Sequence, residues 1–396
     1  MSATDAGQRE EWRGLEVTER MRLSLIVEPG DLRVREALDR YGAAALLAAC
    51  VGGDPLDEGV PKPSWVRRAT ELDRLTQSAL DAAERTGLRW VQPGDAEWPS
   101  GLAVLDNAEP LSSVGGAPLG LWARGPLDLA DGVARSVAIV GARNATTYGN
   151  QAAGDLAAEV AVEDHTVISG GAFGIDVAAH RGALAVRKPT ICVLACGADV
   201  AYPRAHGNIL ARIADGGLVL SEQAPGETPT RGRFLTRNRI IAALAQGTVV
   251  VEAARRSGAL NTVNWAQRCG RVAMGVPGPV TSRASVGVHD ALRSGGAVLV
   301  TRSAEVLEAI GAIGSVDATL PWVAPTGTDR LSVSALRIFE RVPAAASATT
   351  DAIASAVPCR PEEVRLALGA LSAAGFVVAE GDGWRALRPE RRADLS

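Results

Sequence analysis

The middle of the chain alternates short apolar runs with longer segments in which apolar residues recur every three or four positions. Seven runs follow one another: Val137–Val140, Thr166–Ile168, Thr190–Leu194, Leu218–Leu220, Thr248–Val251, Val272–Val276 and Ala297–Val300. Strands buried on both faces have this composition, and strands that alternate with helices form parallel sheets. The pattern therefore predicts an α/β fold with an open, mainly parallel sheet over residues 96–312.

The N-terminal flank shows helical periodicity in place of apolar runs. Thr18–Val27 and Leu32–Ala49 carry apolar residues at helical spacing. Gly-Gly-Asp-Pro at 52–55 and Pro-Lys-Pro at 61–63 interrupt the pattern. We therefore expect a small helical N-terminal domain over residues 1–95.

The C-terminal flank begins with a linker at 313–328 that contains proline and glycine. Three helical stretches follow, and then two short apolar runs surround a Gly-Asp-Gly turn at 381–383. Three helices followed by a hairpin predict a winged-helix-like domain over residues 329–396. Nine arginines and nine acids balance one another in this domain, which weakens a DNA-binding role and leaves a protein contact open.

Composition excludes several classes of protein. Hydrophobic residues make up 47% of the chain and charged residues 22%, which suits a large core rather than global disorder. The sequence has no run of about 18 apolar residues and no apolar N-terminal stretch, so we expect no membrane span, no signal peptide and a cytoplasmic protein. The five scattered cysteines and four histidines share no ligand spacing, so we expect no disulfide framework, metal site or cofactor.

Nucleic-acid-binding domains are commonly basic overall, whereas the net charge of this chain is −4. Binding to nucleic acid would therefore require a local basic patch. Ligands of open parallel sheets bind beyond the carboxyl ends of the strands. The loop Gly141–Gly149 follows the first run and carries Arg143, whose guanidinium suits a phosphate. A solvated arginine on an ordinary turn is the alternative.

The second loop, Ser169–Asp176, has the spacing of a dinucleotide fingerprint, with Ser169 in place of the first glycine. The ribose-binding acid expected about 20 residues later is absent, which argues against NAD or FAD. We expect the N–H groups of Gly170 and Gly171 to hold a nucleic-acid phosphate. Asp176 is equally well explained as a helix cap.

The third stretch, Arg231–Leu244, packs Arg231, Arg233, Arg237 and Arg239 into nine residues around Phe234, without an acid. Arginines around one aromatic ring suit single-stranded nucleic acid, because the cations meet phosphates and the ring stacks on a base. A solvated charged face and a core phenylalanine are the alternatives.

The fourth stretch, Val249–Ala266, places Glu252 after a strand and Ser257-Gly258 at the start of a helix, which is a potential anion site. Glu252 is also a candidate partner for the arginines of the third stretch. No triad, paired carboxylates or Cys-His arrangement on these loops implies catalysis, so we expect a protein that is not an enzyme.

The order of these motifs closely resembles the DNA-processing protein A family, DprA, also called Smf. The resemblance runs from about Ser136 to Val300 and rests on GARNATTYG, SGGAFGIDVAAHRGAL, CGADVAYP, SEQAPGETPTRGRFLTRNRIIAAL, VEAARRSGALNTVNWA and GRVAMGVPG. Several long motifs in the correct order are more specific than any one of them, and both flanking domains fit the family.

The resemblance implies a Rossmann-like fold that binds single-stranded DNA, protects incoming DNA, dimerises and promotes RecA loading in natural transformation or recombination. It assigns DNA contacts to Arg143, Arg204 and Arg231 and a base contact to Phe234. The family often has a basic residue at the position of Phe173, so this chain moves the charge elsewhere or adds a second aromatic ring.

The resemblance also implies a homodimer formed through the late part of the Rossmann-like domain, where His289 and Leu292 lie. The complete set of expected DNA-binding residues is Arg143, Gly170, Gly171, Phe173, Arg204, Arg231, Phe234, Arg237 and Arg239.

Two other functions remain open from the sequence. A nucleotide phosphoribohydrolase of the lysine-decarboxylase-like group has similar glycine turns, but its PGGxGTxxE stretch corresponds here to Arg255–Thr262, with no acid following. A winged-helix transcription regulator is the third hypothesis, and preference for one duplex sequence would support it.

Overall fold

The computed structural model describes residues 11–12, 15–311 and 331–387. The chain divides into two compact units, Met1–Asp317 and Ala318–Ser396. The expected linker at 313–328 lies outside the described residues.

The described part of the first unit contains eleven strands. They are β1 Glu11–Trp12, β2 Leu15–Glu16, β3 Leu88–Val91, β4 Leu121–Arg124, β5 Ser136–Val140, β6 Thr166–Ser169, β7 Thr190–Leu194, β8 Leu218–Ser221, β9 Gly247–Val250, β10 Val272–Gly275 and β11 Val298–Leu299. Strands β1 and β2 form a separate antiparallel pair, and the other nine form one sheet.

The nine-stranded sheet has the order β11-β10-β9-β5-β6-β7-β8-β4-β3. The seven strands from β11 to β8 are parallel, whereas β4 and β3 are antiparallel to their neighbours. Each of the seven predicted apolar runs forms one of the parallel strands, so the predicted α/β sheet is confirmed. The chain moves from β5 to one side as far as β8 and then returns to pair β9 with β5, which makes the β5–β9 boundary the switch point of the sheet.

Strands β3 and β4 were not predicted, and β3 lies on the N-terminal side of residue 95, within the expected helical domain. Both strands contain an arginine, so neither is apolar throughout. Arg89 of β3 reaches the carboxylate of Glu97 and the carbonyl of Gly125. The sheet therefore begins before the boundary expected from the sequence.

Thirteen α-helices belong to the described part of the first unit. They are α1 Glu19–Ser24, α2 Leu32–Gly52, α3 Pro63–Ala69, α4 Leu72–Thr86, α5 Val104–Asn107, α6 Leu129–Ala134, α7 Thr147–Val162, α8 Ile175–Ala185, α9 Gly207–Gly216, α10 Arg231–Leu244, α11 Gly258–Arg268, α12 Val286–Arg293 and α13 Ser303–Ile310. Short 3-10 helices span Ser100–Ala103 and Arg204–His206. No helix of the described residues is both long enough and apolar enough to cross a membrane.

Alternate residues of the central strands pack into two cores on opposite faces of the sheet. Val137 and Ile139 of β5 belong to the core that includes α7 and α8. Ala138 and Val140 of the same strand belong to the core that includes α10 and α11. Burial on both faces explains why these strands have no polar alternation, and helix α10 packs on one of those faces.

The second unit contains three helices and a small antiparallel sheet. The elements are α14 Val333–Phe339, β12 Ala348–Thr349, α15 Thr350–Ser355, α16 Pro361–Ala373, β13 Val377–Glu380 and β14 Gly383–Ala386. The strand order is β12-β14-β13, and Ile338, Ile353, Val364 and Leu368 form part of the core. The three helical stretches and the hairpin expected from the sequence are therefore present.

Candidate nucleic-acid interface

A pocket of about 720 Å³ opens at the switch point of the sheet. Its lining comes from the loops after β5, β6 and β9 and from the first turns of α10 and α11, with Gly141, Ala172, Ala254, Phe234 and Gly258 among the contributors. Parallel strands all bring their carboxyl ends to this edge, which is where ligands of open α/β sheets bind.

Three exposed arginines line the pocket: Arg143 after β5, Arg231 at the start of α10 and Arg256 before α11. None of the three forms an ion pair within the part of the chain that the structure describes. Asp176 is the carboxylate among the lining residues, and it is buried. The pocket is therefore electropositive in a chain whose net charge is −4, which suits a polyanion.

Arg143 and the aromatic residues of the pocket are in direct contact. The guanidinium carbon of Arg143 lies 4.3 Å from the centroid of the Phe234 ring, within the range of a cation–π interaction. Tyr202 lies on another side of Phe234, with 5.8 Å between the ring centroids, and is 41% exposed. The pocket thus joins an unpaired cation to two rings that are available for stacking.

Arg237 lies in the floor of the pocket and is buried. One of its terminal nitrogens donates a hydrogen bond to the Val193 carbonyl, and its Nε has no partner among the described residues. Burial lowers the pKa of Arg237, whereas the nearby Asp176 carboxylate raises it. Burial also raises the pKa of Asp176, and the charge of Arg237 opposes that effect. The two buried charges therefore influence one another through space, without an ion pair between them among the described residues.

The glycine turn after β6 has a structural role that differs from the expected one. Gly170 and Gly171 are both buried, and a side chain at Gly170 would collide with the guanidinium of Arg237. The Ala172 N–H donates to the carboxylate of Asp176 at 3.3 Å. The turn holds a carboxylate of its own chain, and Gly170 makes room for Arg237 while Gly171 packs against Cys192 and Leu194. The phosphate contact expected of Gly170 and Gly171 stays a prediction.

Phe173 and Arg204 lie beside the pocket rather than in it. Phe173 is 48% exposed and packs edge-to-face on His206, with 4.5 Å between the ring centroids. It lines a shallow groove along α7 and α8 that shares Arg143 with the pocket. Arg204 is exposed in the 3-10 helix next to His206. The charged residues of the groove lining are Arg143, Arg181 and Asp155, and Arg204 is not part of it.

Arg239 lies in the interior. Its side chain is fully buried, and its two terminal nitrogens donate to both carboxylate oxygens of Glu222 at 2.7 and 2.6 Å. Its Nε donates to the Gly116 carbonyl at 3.0 Å. The expectation that Arg239 contacts DNA is therefore corrected, because no face of its guanidinium is available to a ligand.

Arg233 lies in the first turn of α10, and its guanidinium is also engaged by carboxylates of the protein. It donates to Glu227 at 2.7 Å and to Glu28 at 3.1 Å. Arg68 of α3 reaches the same two carboxylates, so four charges connect the N-terminal helices to the start of α10. The arginine-rich helix therefore presents Arg231 to solvent and uses its other arginines inside the protein.

Arg256 was missed as a site residue, although it stands immediately before Ser257-Gly258, which had been singled out as a potential anion site. Ser257 caps α11 by accepting from the Ala259 N–H. The preceding residue, Arg255, pairs with Asp290 at 2.9 Å. Arg256 could have been found from the sequence by its position. It lies after a buried strand and directly before the capped N-terminus of a helix.

Glu252 is buried after β9 and does not pair with the arginines of α10. It accepts from the backbone N–H and the hydroxyl of Thr146, at 2.9 and 2.6 Å. Thr146 in turn caps α7. Glu252 therefore fixes the loop that carries Arg143, which is a structural contribution to the pocket.

The two residues expected at a dimer interface lie on α12. His289 Nε2 contacts the Gly278 carbonyl at 3.0 Å, and Leu292 is partly buried against the core. The neighbouring edge strand β11 exposes Val298 and Leu299, each by 53%. An exposed apolar edge strand is a natural template for pairing with another chain.

The sequence matches a known protein family over the region that contains the sheet and the pocket. The family model described as DNA recombination-mediator protein A matches residues 89–311. The chain belongs to this family. The match begins at the second residue of β3 and covers the rest of the nine-stranded sheet and every residue that lines the pocket, from Val140 to Thr262.

Relatives in this family cover most of the chain. The putative DNA processing protein DprA of Mycobacterium tuberculosis is 45% identical over 322 residues, which cover 80% of this chain and 82% of that protein. The DNA processing protein DprA of Streptococcus pneumoniae is 38% identical over 213 residues, which cover 53% and 74% respectively. The X-ray structure of DprA from Streptococcus pneumoniae covers 74% of this chain and 97% of its own, with 29% identity and a TM-score of 0.59.

Proposed function

We propose that this member of the recombination-mediator family binds single-stranded DNA in the arginine-lined pocket. The observation that supports the proposal most strongly is the contact between Arg143 and Phe234 at the switch point, with Arg231 and Arg256 unpaired nearby. Cations that track a backbone and rings that stack on bases are the two components of single-strand binding sites.

Each group in the pocket has a distinct part in this proposal. Arg143, Arg231 and Arg256 neutralise phosphates, and the N-terminus of α11 adds backbone N–H groups with a favourable dipole. Tyr202 and Phe234 stack on bases. The groove that contains Phe173 carries the strand beyond the pocket, with Arg204 exposed next to the groove residues Ala205 and His206. The exposed ring of Phe173 replaces a charge there with a stacking surface.

The cellular role follows from this binding together with the family. We propose a cytoplasmic, non-catalytic mediator that protects incoming DNA and promotes RecA loading during transformation or recombination. It acts as a homodimer through α12 and the exposed edge strand β11, near His289 and Leu292. The C-terminal unit is a winged-helix-type accessory unit, whose balanced charge suits contact with protein better than contact with DNA.

The other two functions are supported less well by the pocket. A phosphoribohydrolase needs a carboxylate that reaches the ribose, but the carboxylate of the pocket lining, Asp176, is buried beside Arg237 and occupied by the Ala172 N–H. A duplex-reading regulator would place its binding surface in the second unit, whereas the unpaired arginines of the pocket lie in the first.

Binding to a fluorescent oligonucleotide and to the matching duplex, each measured across a salt series, tests the proposal. We expect the single strand to bind more tightly and log affinity to fall linearly with log salt. Equal or tighter duplex binding would contradict the proposal. Release of ribose phosphate from AMP in a parallel incubation would favour the hydrolase instead.

A further inference from the structure

Two asparagine side chains meet in the wall of the pocket, one from each of the helices that form it. Asn238 of α10 donates from its Nδ2 to the Gly258 carbonyl at 3.2 Å and to Asn261 Oδ1 at 3.1 Å. Both asparagines line the pocket. The contact between α10 and α11 therefore defines the orientation of both amides. In each amide, one polar atom takes no part in these hydrogen bonds.

The groups left over are Asn238 Oδ1, which accepts, and Asn261 Nδ2, which donates. Neither atom has a partner among the residues that the structure describes. Asn238 is 7% exposed and Asn261 is half-buried, and both line the pocket, so a ligand in the pocket can reach these atoms. A ligand with the complementary donor and acceptor would form hydrogen bonds with both of these atoms.

We propose that this amide pair binds the Watson–Crick edge of one unpaired base and thereby excludes duplex DNA from the pocket. The inference rests on the proposed function and attributes the selectivity of the pocket for single strands to these two asparagines. Every base has a donor next to an acceptor on its Watson–Crick edge, so one acceptor–donor pair fits all four. In a duplex those groups are already paired, so a paired base cannot satisfy the amides.

The position of the pair within the site agrees with this role. The exposed arginines that suit phosphates stand at the mouth, while Asn238 and Asn261 belong to the helices that form the wall, beside the apolar side chain of Ile241. A nucleotide whose phosphate lies on Arg231 or Arg256 can direct its base inward. The amides therefore complete a site for one nucleotide, with charge outside and hydrogen bonding inside.

A chemically altered base tests the inference on the intact full-length protein. Two oligothymidylates of equal length are compared, one unmodified and one with N3-methylthymine at every position. The methyl group removes the only donor on the Watson–Crick edge and leaves both carbonyls and all phosphates. We expect the methylated strand to bind about tenfold more weakly, which corresponds to about 1.4 kcal/mol.

A variant identifies the residues responsible. Asn261→Leu removes the donor, so we expect weaker binding of the unmodified strand and a smaller difference between the two strands. Asn264→Leu is the matched control, because Asn264 is exposed on the same helix and outside the pocket lining, and it should behave as the parent protein does. Circular dichroism of each variant confirms the folded state, and the comparison of strands on the parent protein decides the matter if a variant does not fold.

The outcomes separate the inference from the function on which it rests. If the parent protein binds both strands equally, the amide pair does not contact the base edge, and single-strand binding itself stands. If neither strand binds, the proposed function fails and the inference fails with it. A methylation effect that is the same in the parent protein and in Asn261→Leu would also overturn the role of the pair.

Discussion

The guanidinium of Arg143 and the ring of Phe234 lie against one another, with 4.3 Å between the guanidinium carbon and the ring centroid. The sequence assigned these residues separate tasks, phosphate contact for Arg143 and base contact for Phe234. Their contact brings the two groups together and holds the arginine over the ring in the absence of DNA. In the proposed binding site, the two contributions are therefore coupled.

A double-mutant cycle measures this coupling. We expect Arg143→Ala to flatten the slope of log affinity against log salt by about 0.7, because one phosphate-bound cation is lost. Phe234→Ala should cost about 1–3 kcal/mol of binding free energy and leave the slope nearly unchanged. The double variant should lose less than the sum, by about 0.5–2 kcal/mol, because each single change already removes the cation–π contact. Additive losses in folded variants would show that the contact has no part in binding.

Arg256 and Arg255 form a matched pair of neighbours with different surroundings. Arg256→Ala should weaken single-strand binding and flatten the salt slope by about 0.7, because Arg256 lines the pocket unpaired. Arg255→Ala removes the same charge but only breaks an exposed pair with Asp290, so its slope should match the parent protein. Fluorescence anisotropy across a salt series distinguishes them, and equal slopes for the two variants would remove Arg256 from the site.

Replacing Arg239 tests its reassignment to the interior. Arg239→Met leaves the Glu222 carboxylate buried without its partner, which should lower the free energy of unfolding by about 3–5 kcal/mol. The double variant Arg239→Met with Glu222→Met should recover most of that loss, because neither charge remains. Urea denaturation measures both. A variant that kept full stability and lost DNA binding would return Arg239 to the binding surface.

His180 makes stability depend on pH. Its Nδ1 donates to Thr190 Oγ1, which itself donates to the Val167 carbonyl, and its Nε2 has no partner among the described residues. Burial, with a smaller effect from Arg237, lowers the pKa of His180 to about 3. The unfolded chain takes up this proton near pH 6.5 and the folded protein does not. The stabilisation is therefore complete above about pH 6.5 and is lost as the pH falls toward 3.

The variant His180→Asn isolates this contribution, because its amide replaces the Nδ1 donor and does not titrate. Chemical denaturation at pH 7, 6 and 5 should show that the parent protein loses up to about 1.4 kcal/mol more per pH unit than the variant. Parallel pH profiles for the two proteins would contradict the assignment.

The exposed edge strand provides a test of dimer formation that avoids the core. Leu299 is 53% exposed, whereas Leu292 packs against Gly275 and contributes to the interior. We expect Leu299→Glu to give monomers by light scattering with unchanged circular dichroism. Val280→Glu adds the same charge at a residue that is 87% exposed elsewhere and should leave the oligomeric state unaltered. A Leu299→Glu dimer would exclude β11 from the interface.

The parallel strands were predictable because burial on both faces removes polar residues from them. Strands β3 and β4 each carry an arginine that interrupts the apolar pattern, so the same rule does not detect them. Pairing of β9 with β5 is a long-range property, and the local pattern contains no information on strand order. The α/β class could therefore be predicted from the sequence, and the location of the switch point could not.

The arginines of α10 show why the site was predicted only in part. Arg231 and Arg239 are the same residue type in one basic stretch, yet one is exposed and the other is fully buried on Glu222. The carboxylate is 17 residues away in the sequence, so the local composition does not reveal the pair. The surroundings of the glycine turn could not be predicted for the same reason, because Arg237, which packs on Gly170, belongs to a helix that is distant in the sequence.

Strand β3 gives the N-terminal segment a protective function for the sheet. Its Trp90 packs on Trp122 of β4, with 5.1 Å between the ring centroids, and Trp122 is completely buried. A fragment beginning at residue 96 would lose β3, uncover that tryptophan and leave the backbone of β4 as an open edge. Open apolar edges aggregate. Strand β3 thus protects this edge of the sheet from aggregation in concentrated solution.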